Sequence, residues 1–240
     1  GEEQRQLSKL PLRVRRLSLL GEGAGAADYL DVIALRGYER QCATVILEHL
    51  AQQNDFDLLE LDSLAASSPT LPLLTYHLNE KDGFQHQIST RYVCPQLRIG
   101  DAGEAVIGTT RRADYFSYCL RRLRKLPGFE MRVVTAVEEM PEAFERFLAL
   151  HEARWALRGK SDAMGLPIFK AFHREVVPEL ARAGRLRFEE LWLDGECRAS
   201  LYGVEAGERY CFYLSGYDPA WSKYSLGFTL LALAAFALVL

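Results

Sequence analysis

From Gly227 to its last residue the chain carries no charge, and Thr229 is the only polar residue in GFTLLALAAFALVL (227–240). Such a run has to leave water, and it can do so in a bilayer or under a folded sheet. Leu226 to Leu240 is shorter than the about 20 residues a helical membrane crossing takes. We therefore expect a core helix covered on all sides, and no stable membrane span in this chain. The chain stops inside the run and begins without methionine, so we expect further sequence beyond both ends.

A core helix needs a sheet to lie on, and the preceding residues supply one. LRFEELWLDG (186–195), ECRASLYGVEAG (196–207) and ERYCFYLSGYD (208–218) read as a three-strand meander with turns at Asp194-Gly195 and Ala206-Gly207. EMRVVTAV (130–137) is a further strand. PEAFERFLALHEARWALRG (141–159) is a helix, with Pro141 in its first turn, Glu142 at its positive end and Gly159 closing it. A second helix spans roughly 167–183. The first half mixes the same elements. A strand at 10–21 sets Arg13 and Arg15 on one face, helices follow at 37–53 and 67–83, and strands at 56–64 and 85–94. Residues 95–114 read as irregular, and 115–126 as a helix. The expected fold class is α/β, or α+β with mixed sheets. Its parts are residues 1–95, a connecting segment 96–129 with a basic helix, and 130–240.

The charge balance narrows the function. With 25% charged and 49% hydrophobic residues the chain can bury a core, and its net charge of −3 offers no global attraction to DNA. Five cysteines form no CxxC pair, so we expect no metal and reduced thiols in a cytoplasmic setting.

Four stretches are candidates for chemistry. LLGEGAGA (19–26) matches a dinucleotide-type glycine pattern, with Glu60 and Asp62 ending the next strand. The strand before it is half polar where that fold buries both faces, so we read it as an ordinary glycine-rich loop. LRRLRK (120–125) can grip phosphates, but a solvated helix face is the plainer reading. In helix 141–159, Phe144, Phe147, Leu148, His151 and Trp155 form one stripe. His151 therefore points inward, either as a packed residue or as a base lining a cleft, and Arg154 borders the stripe. Finally, FYLSGYDPAWSKYSLGF (212–228) leads from an aromatic strand through Ser225-Leu226-Gly227 into the apolar helix. A helix start exposes free amides at its positive end, and Gly227 lets a diphosphate approach them. Tyr213 and Tyr217 can line a channel beside it.

Taken in order, these stretches resemble the GNAT superfamily of acyltransferases, and more narrowly its FemAB-like members associated with cellulose and exopolysaccharide biosynthesis. LHEARWALRGK (150–160), GRLRFEELWLDGECRASLYGV (184–204), YLSGYDPAWSKYSLGFTLL (213–231) and LSLLGEGAGAADYLDVI (17–33) carry the resemblance. It implies two GNAT-like modules in tandem, truncated at both ends. It also implies transfer of an acyl group, usually acetyl, from acyl-CoA to an amine or hydroxyl of a small-molecule or glycan-precursor acceptor. Ser225, Leu226, Gly227 and Phe228 would cradle the CoA diphosphate, and Tyr213, Leu214 and Ser215 would pair with the pantetheine arm. His151 and Asp218 would handle the proton, and Arg154, Trp155 and Tyr217 would line the acceptor site. Two other readings stay open. One is a FemAB-type aminoacyltransferase using aminoacyl-tRNA. The other is a non-catalytic scaffold, because Ser-Leu-Gly is shorter than the family's usual glycine run.

Overall fold

The computed structural model describes residues 13–21, 27–53, 55–80, 85–94, 96, 113–157, 159 and 163–237. Most of the glycine-rich loop (22–26) and nearly all of the connection at 95–112 lie outside them. The chain divides into two compact units, Gly1–Pro95 and Gln96–Leu240.

In the first unit, β1 (Arg16–Ser18) pairs in parallel with β2 (Leu58–Glu60), and α1 (Glu39–Gln52) lies between them in sequence. Ion pairs Arg15–Asp57 and Arg16–Glu60 join the two strands. The hydrogen bonds from Arg15 hold the Asp57 carboxyl down at about 2. α2 (Thr70–Glu80) starts where expected, because the Ser68 hydroxyl accepts the Thr70 amide at 3.0 Å. Residues 85–94, expected as a strand, have no regular structure and are exposed throughout. Alternation alone does not make a strand when no neighbour among the described residues supplies the ladder.

The second unit is built on a four-stranded sheet in the order β3-β4-β5-β6, antiparallel throughout. The strands are β3 (Glu130–Val134), β4 (Leu186–Leu193), β5 (Glu196–Ala206) and β6 (Arg209–Tyr217). Asp194 and Gly195, both with positive φ, make the β4–β5 turn, the geometry that favours Asp-Gly there. α4 (Met140–Ala156) and α5 (Pro167–Arg182) cover one face, packing Phe144, Phe147 and Val177 on Phe188 and Tyr202. α3 (Ala113–Leu123) and α6 (Leu226–Ala237) cover the other, packing Leu123, Leu226 and Leu230 on Leu191 and Leu201. The apolar run is helical as far as residue 237 and buries one face, with Leu226, Leu230 and Ala234 a turn apart, but it is not covered on all sides as expected: Leu231 is exposed. Among the described residues no helix is long and apolar enough to cross a membrane.

Covering both faces of β4 buries two carboxylates, since consecutive residues point to opposite sides. Each is paired, as burial demands. Glu190 takes the Arg146 guanidinium at 2.9 and 3.3 Å and the Trp192 indole at 2.9 Å. Glu189 accepts from Arg187 at 2.7 Å and from the Tyr210 hydroxyl at 2.5 Å, and burial pushes its carboxyl upward.

Candidate active site

The site grows from a close crossing of α4 over β6. A Cβ on Gly216 would lie 2.4 Å from the His151 amide nitrogen and 2.7 Å from the Leu150 carbonyl carbon. Only glycine lets the helix come this near. The crossing puts His151 Nδ1 at 2.9 Å from the Ser215 carbonyl oxygen. A carbonyl can only accept, so His151 Nδ1 carries a proton and donates it to Ser215. One turn on, Arg154 Nη1 donates to the same carbonyl at 3.2 Å and to Ser215 Oγ at 3.3 Å. The guanidinium lies 5.4 Å from the Tyr217 ring centre and 5.9 Å from that of Trp155. Five residues named from the sequence (151, 154, 155, 215 and 217) therefore meet at the C-terminal end of β6. Both Ser215 oxygens are engaged here in holding α4.

β6 has β5 as its one neighbour among the described residues, so its other edge presents main-chain groups to a ligand. The ladder slips at Tyr202/Gly203. Tyr213 packs 5.2 Å from the Tyr202 ring and 5.5 Å from His173, on the α4–α5 face, and Leu214 packs against the same core. His173 sits between two hydroxyls, with Nδ1 at 3.2 Å from Tyr202 and Nε2 at 3.4 Å from Tyr213. Burial pulls its imidazole below the usual value. Folded protein resists protonation at His173 more than unfolded chain does, so its contribution is complete above about pH 6.5 and is lost as pH falls below it. We expect the melting temperature of wild type to fall more steeply between pH 7 and 5 than that of His173→Gln, as read by calorimetry. Equal slopes would count against this role for the ring.

The loop after β6 is held at both ends. Asp218 accepts the Ala220 amide at 2.9 Å, capping a 3-10 turn (Pro219–Tyr224), and pairs with Arg198 at 2.9 Å. Its carboxylate is occupied by these two partners. Ser225 then adopts a left-handed backbone, φ 54°, directly before α6. Its carbonyl accepts from the Thr229 amide and hydroxyl at 3.0 and 3.1 Å. The amides of Leu226, Gly227 and Phe228 have no acceptor among the described residues. The position a Gly227 Cβ would take is 3.3 Å from the Tyr217 ring. Tyr217 thus lies between the first turn of α6 and the His151–Arg154 group.

Two residues of α3 join this site. Tyr115 of α3 bonds Ser225 Oγ at 2.6 Å and sets its ring 5.4 Å from Phe228. Arg122 donates to the Lys223 carbonyl at 3.0 Å and stacks 4.7 Å from Tyr224. The basic stretch at 120–125 was legible, but its partners lie about a hundred residues away in the chain, where no local pattern reaches.

A mixed α/β domain with free amides at a helix start, beside the open edge of a strand, fits an extended ligand that ends in phosphate. The chain belongs to the GNAT acetyltransferase family: the family model described as an acetyltransferase (GNAT) domain matches residues 110–238, over half of the chain. No curated protein matches the chain. Domains of this family typically take acetyl-CoA as acyl donor, and the match supports acyl-CoA acyltransferase activity. The residues at the α6 start fit a diphosphate, with three free amides, the positive helix end and Arg122 and Lys223 close by. No group of three potential metal ligands occurs among the described residues.

Proposed function

We propose that this protein transfers an acetyl group from acetyl-CoA to an amine or hydroxyl of a glycan precursor, in bacterial polysaccharide or cell-envelope biosynthesis. The observation that carries the chemical part is the meeting of free amides and His151 at one end of β6, with Tyr217 between them. The envelope role rests on the FemAB-like motifs quoted above. The parallel β1–α1–β2 unit supports reading the first half as part of a second module.

A bound thioester is already activated, so the protein has to hold it, orient the acceptor and remove one proton. The amides of Leu226–Phe228 hold the diphosphate, and the edge of β6 beside Tyr213 and Leu214 aligns the pantetheine arm. Ser215 holds His151 through Nδ1, and Nε2 is the proton acceptor. Arg154 and Trp155 border the acceptor, and Asp218 keeps the loop in place through Arg198.

Calorimetry on the full chain tests this. Saturable binding of CoA and acetyl-CoA is expected, and absence of binding at millimolar ligand would overturn the proposal. Gly227→Val separates enzyme from scaffold. Its side chain meets Tyr217 and the diphosphate approach together, so CoA binding should fall by about 10-fold or more while the protein stays folded. A scaffold would keep its cellular function with this substitution.

A further inference from the structure

We infer that Tyr115 and Arg122 of α3 are positioning residues for the acyl-donor site, an inference that rests on the function proposed above. Ser225, with φ 54° and ψ 44°, is in the left-handed region, which strains a residue that carries a side chain. Its position before α6 is that of a capping residue, yet its hydroxyl makes no bond to the helix. A serine in extended backbone would turn its oxygen onto the second or third amide of the helix. Here the oxygen is turned to Tyr115 instead, at 2.6 Å. The left-handed turn and the bond to α3 together leave the first amides of α6 without an internal acceptor.

Arg122 secures the same loop two residues earlier. It donates to the Lys223 carbonyl at 3.0 Å, and its guanidinium lies 5.4 Å from Tyr118 and 4.7 Å from Tyr224. The helix therefore grips the loop at Lys223 and at Ser225. The Tyr115 ring lies 5.4 Å from Phe228, inside the first turn of α6. Tyr115 is half exposed, so the core does not depend on it. A contact of this kind, made outside the core onto a strained residue beside free amides, sets the geometry of those amides rather than the stability of the sheet.

The experiment measures CoA and pantetheine binding by calorimetry on full-length wild type, Tyr115→Phe and Arg122→Ala, with melting temperatures alongside. Tyr115→Phe keeps the ring on Phe228 and removes only the hydroxyl. We expect CoA to bind about 3- to 10-fold more weakly, the range that loss of one hydrogen bond gives. Pantetheine lacks the diphosphate, so its affinity should be unchanged, and the melting temperature should hold. Arg122→Lys keeps a donor for the Lys223 carbonyl and should recover part of what Arg122→Ala loses. Equal losses for CoA and pantetheine, or wild-type CoA affinity in Tyr115→Phe, would overturn the inference and leave the acyltransferase reading intact. If wild type itself failed to bind CoA, the proposed function would fall and the inference with it.

Discussion

Replacing Gly216 with alanine is expected to destabilise the second unit by about 3 kcal/mol and to abolish transfer activity. The new methyl would sit 2.4 Å from the His151 nitrogen and 2.7 Å from the Leu150 carbonyl carbon. Both are backbone atoms, so no side chain can swing aside. Either α4 lifts from β6 or the strand bends. α4 packs Phe144, Phe147 and Leu148 into the core on this face, so lifting it exposes apolar surface. Lifting it also breaks the His151 bond to Ser215 and both Arg154 contacts. Chemical denaturation and a thioester assay on the same preparation check the prediction. A variant with wild-type stability would show that the crossing is looser than 2.4 Å implies.

The second large effect is expected at His151. His151→Asn keeps a side-chain N–H for the Ser215 carbonyl and removes the nitrogen that can take up a proton. Under the proposed mechanism kcat falls roughly 100-fold or more, the usual contribution of a positioned base. CoA affinity stays near that of wild type, since the amides of α6 are untouched. His151 is 2% exposed and packs 5.3 Å from the Phe147 ring, so its packing role has to be separated from the chemical one. Melting temperature and CoA affinity measured beside kcat do this, because a purely packing role lowers stability while a chemical role lowers kcat alone. Full activity in His151→Asn would make the residue structural and move proton transfer to another group.

Much of the second unit was legible from residue spacing. The apolar run at the end of the chain marked a helix, and α6 lies on the sheet through Leu226, Leu230 and Ala234 while Leu231 stays exposed. The stripe in helix 141–159 predicted the buried face of α4, His151 included. Asp194-Gly195 marked the turn between β4 and β5. Each of these signals is local, made by neighbours within a few turns or one hairpin. The first unit was less legible: of the strands expected over 10–21 and 56–64 the described residues show three in each, and 85–94 forms none. A strand becomes a strand only with a partner, and pairing is not written in the strand's own alternation.

By itself the sequence determined the periodic faces, the turns and the set of motifs that resembles the acyltransferase family, because these depend on adjacent residues and helical or strand repeat. The tertiary structure alone decided that Glu189 and Glu190 would both be buried, that Gly216 would admit the α4 backbone, and that Tyr115 would meet Ser225 across the length of the domain. Those outcomes depend on which surfaces face each other once both sides of the sheet are covered. Packing between distant segments sets that, and no window of neighbouring residues contains it.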